Sequence, residues 1–201
     1  VEVPSRLFNK FIIMKDTVNF FRIAGYVVLY VVTIFATAFL GFLHPVCWAG
    51  LPVVAALLAA FSYYGLAQYW RFFGAGTLLS LTLSMFLYAT GEVEVRESVI
   101  MVAFGFLSDV VRQYVGNSSL KGLLIAYPVL SLGDISWVHK LWTNTSWYYD
   151  GAVEEMGLEY AEGLMAYAHW WVLALVLILT LVMSYVGVFV SSRLVDFRKG
   201  K

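Results

Sequence analysis

An imidazole and a thiol three residues apart, His44 and Cys47, stand beside Trp48 in a chain of 201 residues. Nitrogen and sulfur donors of this kind ligate metals, and either one could hold a haem iron while indole rings cover its plane. One His and one Cys form a sparse metal motif, so an incidental pairing is the competing reading. The other two histidines, His139 and His169, flank a stretch rich in large aromatics: Trp142, Trp147, Tyr148, Tyr160 and Tyr167, with Trp137 just before it. Such side chains can stack on or enclose a flat ligand, and the cations Arg96 and Lys140 could meet its carboxylates. No metal site made by the protein alone is expected, and no cofactor of its own.

Other chemistries lack their residues. There is no GxxxxGK[ST] loop to cradle ATP phosphates, no HExxH and no GxSxG. Glu154-Glu155 suggests an intramembrane protease motif, but no suitably spaced arginine or helix-borne histidine accompanies it. A single cysteine excludes an internal disulfide framework and any CxxC site. Nothing points to nucleic acid. A protein that binds something and cannot power its movement implies partner subunits. A membrane enzyme and a structural or signalling membrane subunit remain the alternatives of other classes.

Residues that bind must be positioned, and composition says in what solvent. The chain is 61% hydrophobic and 13% charged, with a mean hydropathy of +0.79, whereas soluble domains carry about 25% charge. Lipid must therefore surround much of it. Apolar runs at 18–43, 48–68, 72–90, 98–114, 120–137 and 170–190 predict an all-α integral membrane protein of six transmembrane helices forming a single membrane domain over 1–201. Dyad alternation, the mark of a barrel strand, is missing from these runs. Residues 1–17 read as a cytoplasmic lead-in without a signal-peptide pattern. The connection at 138–169 is long enough to be a lid or binding loop. Within it Val153, Met156, Leu158, Ala161, Leu164 and Met165 recur at helical spacing, which predicts a short amphipathic helix before the last span.

Charge sets the expected orientation. With both termini cytoplasmic, the inner side collects Arg6, Lys10, Lys15, Arg22, Arg71, Arg112, Lys121, Arg193, Arg198, Lys199 and Lys201, leaving Arg96 and Lys140 outside. The reverse orientation would place most cations on the wrong side. All three histidines, Cys47 and every tryptophan except Trp70 then lie at the outer face. An aromatic belt would occupy both interfaces, so enclosing a ligand is at least as good a reading as belt duty. Two acids sit within the apolar runs, where charge is costly. Asp109 is expected to pair with Arg112 one turn away. For Asp134 a ligand site and a cap-like structural role are both open. Of the sequons at Asn117 and Asn144, Asn117 falls on the inner side.

Six helices, cytoplasmic termini and a helix-bearing loop before the last span resemble the substrate-binding subunit (S component) of an energy-coupling factor (ECF) ABC transporter. The second half resembles the Trep_Strep family of bacterial membrane proteins, through LLIAYPVLSLGDISWVHKLW at 123–142, MGLEYAEGLMAY at 156–167, and the closing helix with its basic tail. The resemblance implies a subunit of the bacterial plasma membrane that captures a scarce micronutrient outside. It would deliver this cargo through a membrane coupling (T) subunit driven by two cytoplasmic ATPases. Haem or another tetrapyrrole is the expected cargo, with a water-soluble vitamin or precursor as the alternative. S components dock through small residues of the first helix. Here Thr33, Ala36, Thr37 and Gly41 form a small-xxx-small stripe instead of a strict AxxxA.

Overall fold

A computed structural model describes the backbone of residues 5–117 and 119–199, and side chains over 19–117 and 119–195. Residues 1–4 of the expected lead-in lie outside the described residues, as do the side chains of Arg6, Lys10, Lys15, Arg198, Lys199 and Lys201. The structure is 86% helical and has no strand among the described residues. In chain order the helices are α1 (Ser5–Gly41), α2 (Pro45–Ala49), α3 (Leu51–Tyr69), α4 (Ala75–Ala89), α5 (Val95–Val115), α6 (Leu120–Asp134), α7 (Lys140–Thr143), α8 (Thr145–Met156), α9 (Leu158–Met165) and α10 (Trp170–Lys199). A 3-10 turn, Ile135–Trp137, follows α6.

Local chemistry sets several of these bounds. Pro52 occupies the first turn of α3, where its missing N–H costs nothing. Glu94 and Glu97 form a reciprocal capping box at the start of α5. The Ser119 hydroxyl accepts the Gly122 N–H at 2.9 Å to open α6. Among the described residues, four helical segments are long and apolar enough to cross a membrane: Asn19–Gly41, Leu51–Tyr69, Val95–Val115 and Trp170–Val195. Helices α4 and α6 have 15 residues each, roughly 22 Å at 1.5 Å per residue, less than a bilayer core of about 30 Å. The expected amphipathic helix is instead two, because Gly157 adopts a left-handed φ of 88° that ends α8 and turns the chain into α9.

The six longer helices pack as a ring in the order α1, α3, α10, α6, α5, α4, which closes on α1. Small residues bring them close. A Cβ on Gly105 would collide with the Ser80 hydroxyl and meet the Gly76 carbonyl oxygen at 2.7 Å, and one on Gly187 would meet Ala60 Cβ at 2.6 Å. Two members of the small-residue stripe on α1, Thr37 and Gly41, serve the same internal purpose. Thr37 is buried, with its hydroxyl donating to the Ile34 carbonyl, and Gly41 lies so close to Trp48 that a Cβ there would strike the indole. Of the four expected docking residues only Ala36 is exposed, with Thr33 half-buried. Half of the stripe therefore packs inside the chain, while Ala36 and part of Thr33 face outward.

The expected ion pair on α5 does not form either. The Asp109 carboxylate accepts the Gly76 N–H at 2.8 Å, the Thr77 N–H at 2.7 Å and the Thr77 hydroxyl at 2.7 Å. It thus caps α4 from a neighbouring helix, where a negative charge also suits the helix dipole. Arg112 donates to the carbonyls of Trp70 (2.6 Å), Phe72 (3.2 Å) and Asn117 (2.9 Å), beyond the ends of α3 and α5. Both side chains are almost wholly buried, where helix termini hold them more strongly than each other.

Asp109→Ala should lower stability by about 3 kcal/mol, the scale of losing charge-assisted bonds to buried donors, and Asp109→Asn by about half as much. Far-UV circular dichroism during SDS titration of mixed micelles measures both. Unchanged midpoints would show that this cap is dispensable.

Candidate functional site

Three helices of the ring run one way and three the other, so α1, α4 and α6 finish where α3, α5 and α10 begin. At that end the C-terminal turns of α1, the short α2, the α4–α5 turn and helices α7 to α9 enclose a cavity of about 350 Å³. This lies within the roughly 300–1,000 Å³ of small-molecule sites. Helix α1 contributes Phe35 and Phe39, the turn after it Phe42, α2 contributes Trp48, and the 3-10 turn contributes Trp137. Helix α8 brings Trp147, Tyr148 and Glu155, α9 brings Tyr160, and Glu92, Glu97 and Lys140 supply further charge.

Hydrogen bonds tie α8 and α9 over the opening. The Trp48 indole N–H donates to the Tyr148 hydroxyl. Burial holds that hydroxyl well above the usual tyrosine range, so it stays protonated and able to accept. Tyr160 donates to the Gly41 carbonyl at 2.5 Å, fastening α9 to the end of α1. Its own hydroxyl is raised chiefly by burial, with Cys47 nearby as a lesser cause. Gly163 seats α9 on Pro45 of α2, where an added Cβ would meet the proline ring at 3.2 Å. One wall is stacked: Phe35 lies nearly parallel to Trp137 with centroids 6.5 Å apart, and Trp48 meets Trp137 edge-on at 6.2 Å.

Charge in the site is organised around Glu97. Its side chain is 2% exposed, and the capping box holds one carboxylate oxygen, Oε2, on the Glu94 N–H at 3.2 Å. The other oxygen, Oε1, has no hydrogen-bond partner. Arg96 Nε at 3.6 Å and Lys140 Nζ at 4.0 Å lie at ion-pair range without reaching it. Lys140 is engaged elsewhere: it donates to Glu94 at 2.6 Å and lies 4.3 Å from the Trp147 ring centroid. Through that bond it holds Glu94 below the usual carboxylate range. Glu92 accepts the Trp137 indole N–H at 3.1 Å. His139 bridges Arg96 (3.1 Å) and the Ser136 carbonyl (2.9 Å). Arginine can only donate, so Nε2 accepts and Nδ1–H donates, which is the neutral tautomer.

Of the thirteen binding residues expected from sequence, Trp48, Trp137, Trp147, Tyr148 and Tyr160 line the cavity. Arg96 and His139 stand behind Glu97. Trp142 is buried and donates to the Tyr167 carbonyl at 2.9 Å, joining α7 to the start of α10. His169 is exposed next to Trp170. Asp134 is buried in the bundle, where Oδ2 accepts the Tyr30 hydroxyl at 3.0 Å and Oδ1 has no partner. His44 caps α2, with Nδ1 accepting the Val46 N–H at 3.2 Å. Neither His44 nor the half-buried Cys47 is among the lining residues, and no group of three His, Cys, Asp or Glu gathers as a metal site among the described residues.

Phe35, Phe39, Phe42, Glu92 and Glu97 also line the site, though their sequence context did not single them out, and so does Glu155, noted in the sequence only for a protease motif. The phenylalanines sit in an apolar run that reads as lipid-facing. For the glutamates a signal existed: Glu92, Glu94 and Glu97 cluster in the α4–α5 connection, opposite Lys140 and Arg96.

Comparison with known proteins gives one match. A family model described as hypothetical bacterial integral membrane protein (Trep_Strep) matches residues 14–199. No curated protein and no solved structure matches the chain.

Tyr160→Phe removes the bond to Gly41 at a cost of about 1 kcal/mol. Deuterium uptake over 158–165 should rise severalfold while the α3 core stays protected. Equal protection in the variant would mean that α9 is held by packing alone.

Proposed function

We propose that this chain, which belongs to the Trep_Strep family of bacterial integral membrane proteins, is the substrate-capturing subunit of an energy-coupling factor importer. It holds a small organic nutrient in the aromatic cavity and passes it inward through a membrane coupling subunit and two cytoplasmic ATPases. The observation that carries this reading is the cavity itself. It is roofed by two short helices tied down by the Trp48–Tyr148 and Tyr160–Gly41 bonds, and sits at one end of a lipid-facing bundle. Pockets of this size with aromatic walls and a few convergent polar groups are binding sites by default.

Six spans complete the reading. Helix α6 runs on through the 3-10 turn to Trp137, and the bilayer thins to meet α4. Arg22, Arg71, Arg112, Lys121 and Arg193 belong to the far end of the ring, with Arg96 and Lys140 at the cavity end. By the positive-inside rule the cavity faces outward and both termini are cytoplasmic, in the plasma membrane. The chain works without an ATPase of its own, as a transport subunit and not an enzyme.

The lining favours a water-soluble vitamin or precursor over a tetrapyrrole. Haem carries two carboxylates, and Glu92, Glu97 and Glu155 would oppose them in a site whose single ammonium is already paired with Glu94. His44 and Cys47 stand outside the lining, so neither of the expected iron ligands is in place.

Native mass spectrometry of the complex extracted from its own membrane tests the reading. It should show a retained small molecule on this chain, together with a coupling subunit and ATPases. A chain that copurifies with none of these subunits would overturn it. Haem added to the purified chain should leave the Soret band unshifted, and a shift that His44→Ala weakens would restore the tetrapyrrole.

A further inference from the structure

The capture reading leaves open the chemistry of the cargo, and the charge arrangement around Glu97 narrows it. Glu97 is an almost fully buried carboxylate that lines the cavity, and one of its two oxygens has no hydrogen-bond partner. A buried acceptor left unmatched costs about 1–3 kcal/mol, more when charged, so a ligand that donates to it recovers a sizeable penalty. The neighbouring cations do not serve. Arg96 and Lys140 stop at 3.6 and 4.0 Å, Lys140 is drawn off by Glu94 and the Trp147 ring, and His139 Nε2, at 3.8 Å, faces the Arg96 guanidinium at 3.1 Å. Glu92 and Glu155 add two further carboxylates to the lining against that one paired ammonium.

Around these acids stand Trp48, Trp137, Trp147, Tyr148 and Phe35. Indole and phenol faces attract cations and stack on flat rings. Lys140 over Trp147 already shows one such contact. An anion would meet more carboxylates than cations in the lining, and a neutral ring without an N–H would leave Glu97 Oε1 without a donor.

We infer that the cargo is a small ring-bearing organic cation, with an N–H group donating to Glu97 Oε1 and its ring held among the tryptophans. The inference rests on the capture reading and specifies its ligand. The bond to Glu97 combines opposite charge with a hydrogen bond at an almost fully buried carboxylate, where such bonds are strongest.

Three probes of one shape separate the charge states: benzamidinium, benzamide and benzoate. Each is titrated into the purified full-length chain in lipid nanodiscs while tryptophan fluorescence is followed. Benzamidinium should quench saturably, benzamide should bind about tenfold more weakly, a difference near 1.4 kcal/mol, and benzoate should not bind. Glu97→Gln should weaken benzamidinium by a similar factor. Glutamine also serves in a capping box, so α5 should keep its start, and an unchanged circular dichroism spectrum checks this. Glu92→Gln, which lies outside that box, should weaken the cation to a smaller extent. The inference fails if benzoate or benzamide binds as well as benzamidinium, if Glu97→Gln changes nothing, or if no probe quenches saturably. Failure of the importer reading is separate, since it shows as missing coupling subunits whatever the charge preference.

Discussion

Asp109 and Arg112, one turn apart on α5, are withdrawn from water and bound to the ends of other segments instead of to each other. In lipid, the free N–H groups that open a helix and the free carbonyls that close it have no water to turn to. Asp109 takes up those at the start of α4, and Arg112 takes up carbonyls that follow α3 and α5. One helix therefore gathers the chain ends on its side of the bundle. This fixes α4 antiparallel to α5 and holds the α3–α4 connection against both. The ring order, and with it the meeting of six helix ends around the cavity, follows from that closure.

The opposite end is built on a different principle. There the helix ends are spaced by α2 and by α7 to α9, and aromatic side chains fill the gaps. The bonds that fasten this roof, Trp48 to Tyr148 and Tyr160 to Gly41, are few and lie at its margin. Beneath it Glu97 keeps an unmatched oxygen. Buried polar atoms without a partner occur at both ends, Arg112 Nη1 and Asn117 Oδ1 at one and Glu97 Oε1 at the other, but of these residues only Glu97 borders the cavity.

Much of this was legible because lipid imposes simple rules. The charge-free stretch of α10 and the separation of cations along the chain needed no tertiary information, and the tryptophans flagged by their crowding include three that wall the cavity. What could not be read were partners distant in sequence. Asp109 and Arg112 looked like a pair because i, i+3 spacing is visible and the Gly76 and Trp70 backbone is not. Small residues on α1 fit docking or internal packing equally well, and only tertiary contacts such as Trp48 lying on Gly41 show which of them pack inside. Phe35, Phe39 and Phe42 follow the same logic: an apolar run does not say which of its members meet lipid. His44 drew attention for its chemistry, yet its ring nitrogen is occupied in capping α2. Gly157, a single left-handed residue, turned one expected helix into two.

The account depends on the cavity end facing outward and the Arg112 end facing the cytoplasm. Single cysteines placed at Glu162 on α9 and at Arg71 beyond α3, both exposed, report this directly when Cys47 is replaced by serine. With a membrane-impermeant maleimide, Glu162→Cys should label in intact cells and Arg71→Cys only after lysis. Labelling in the reverse order would contradict the account.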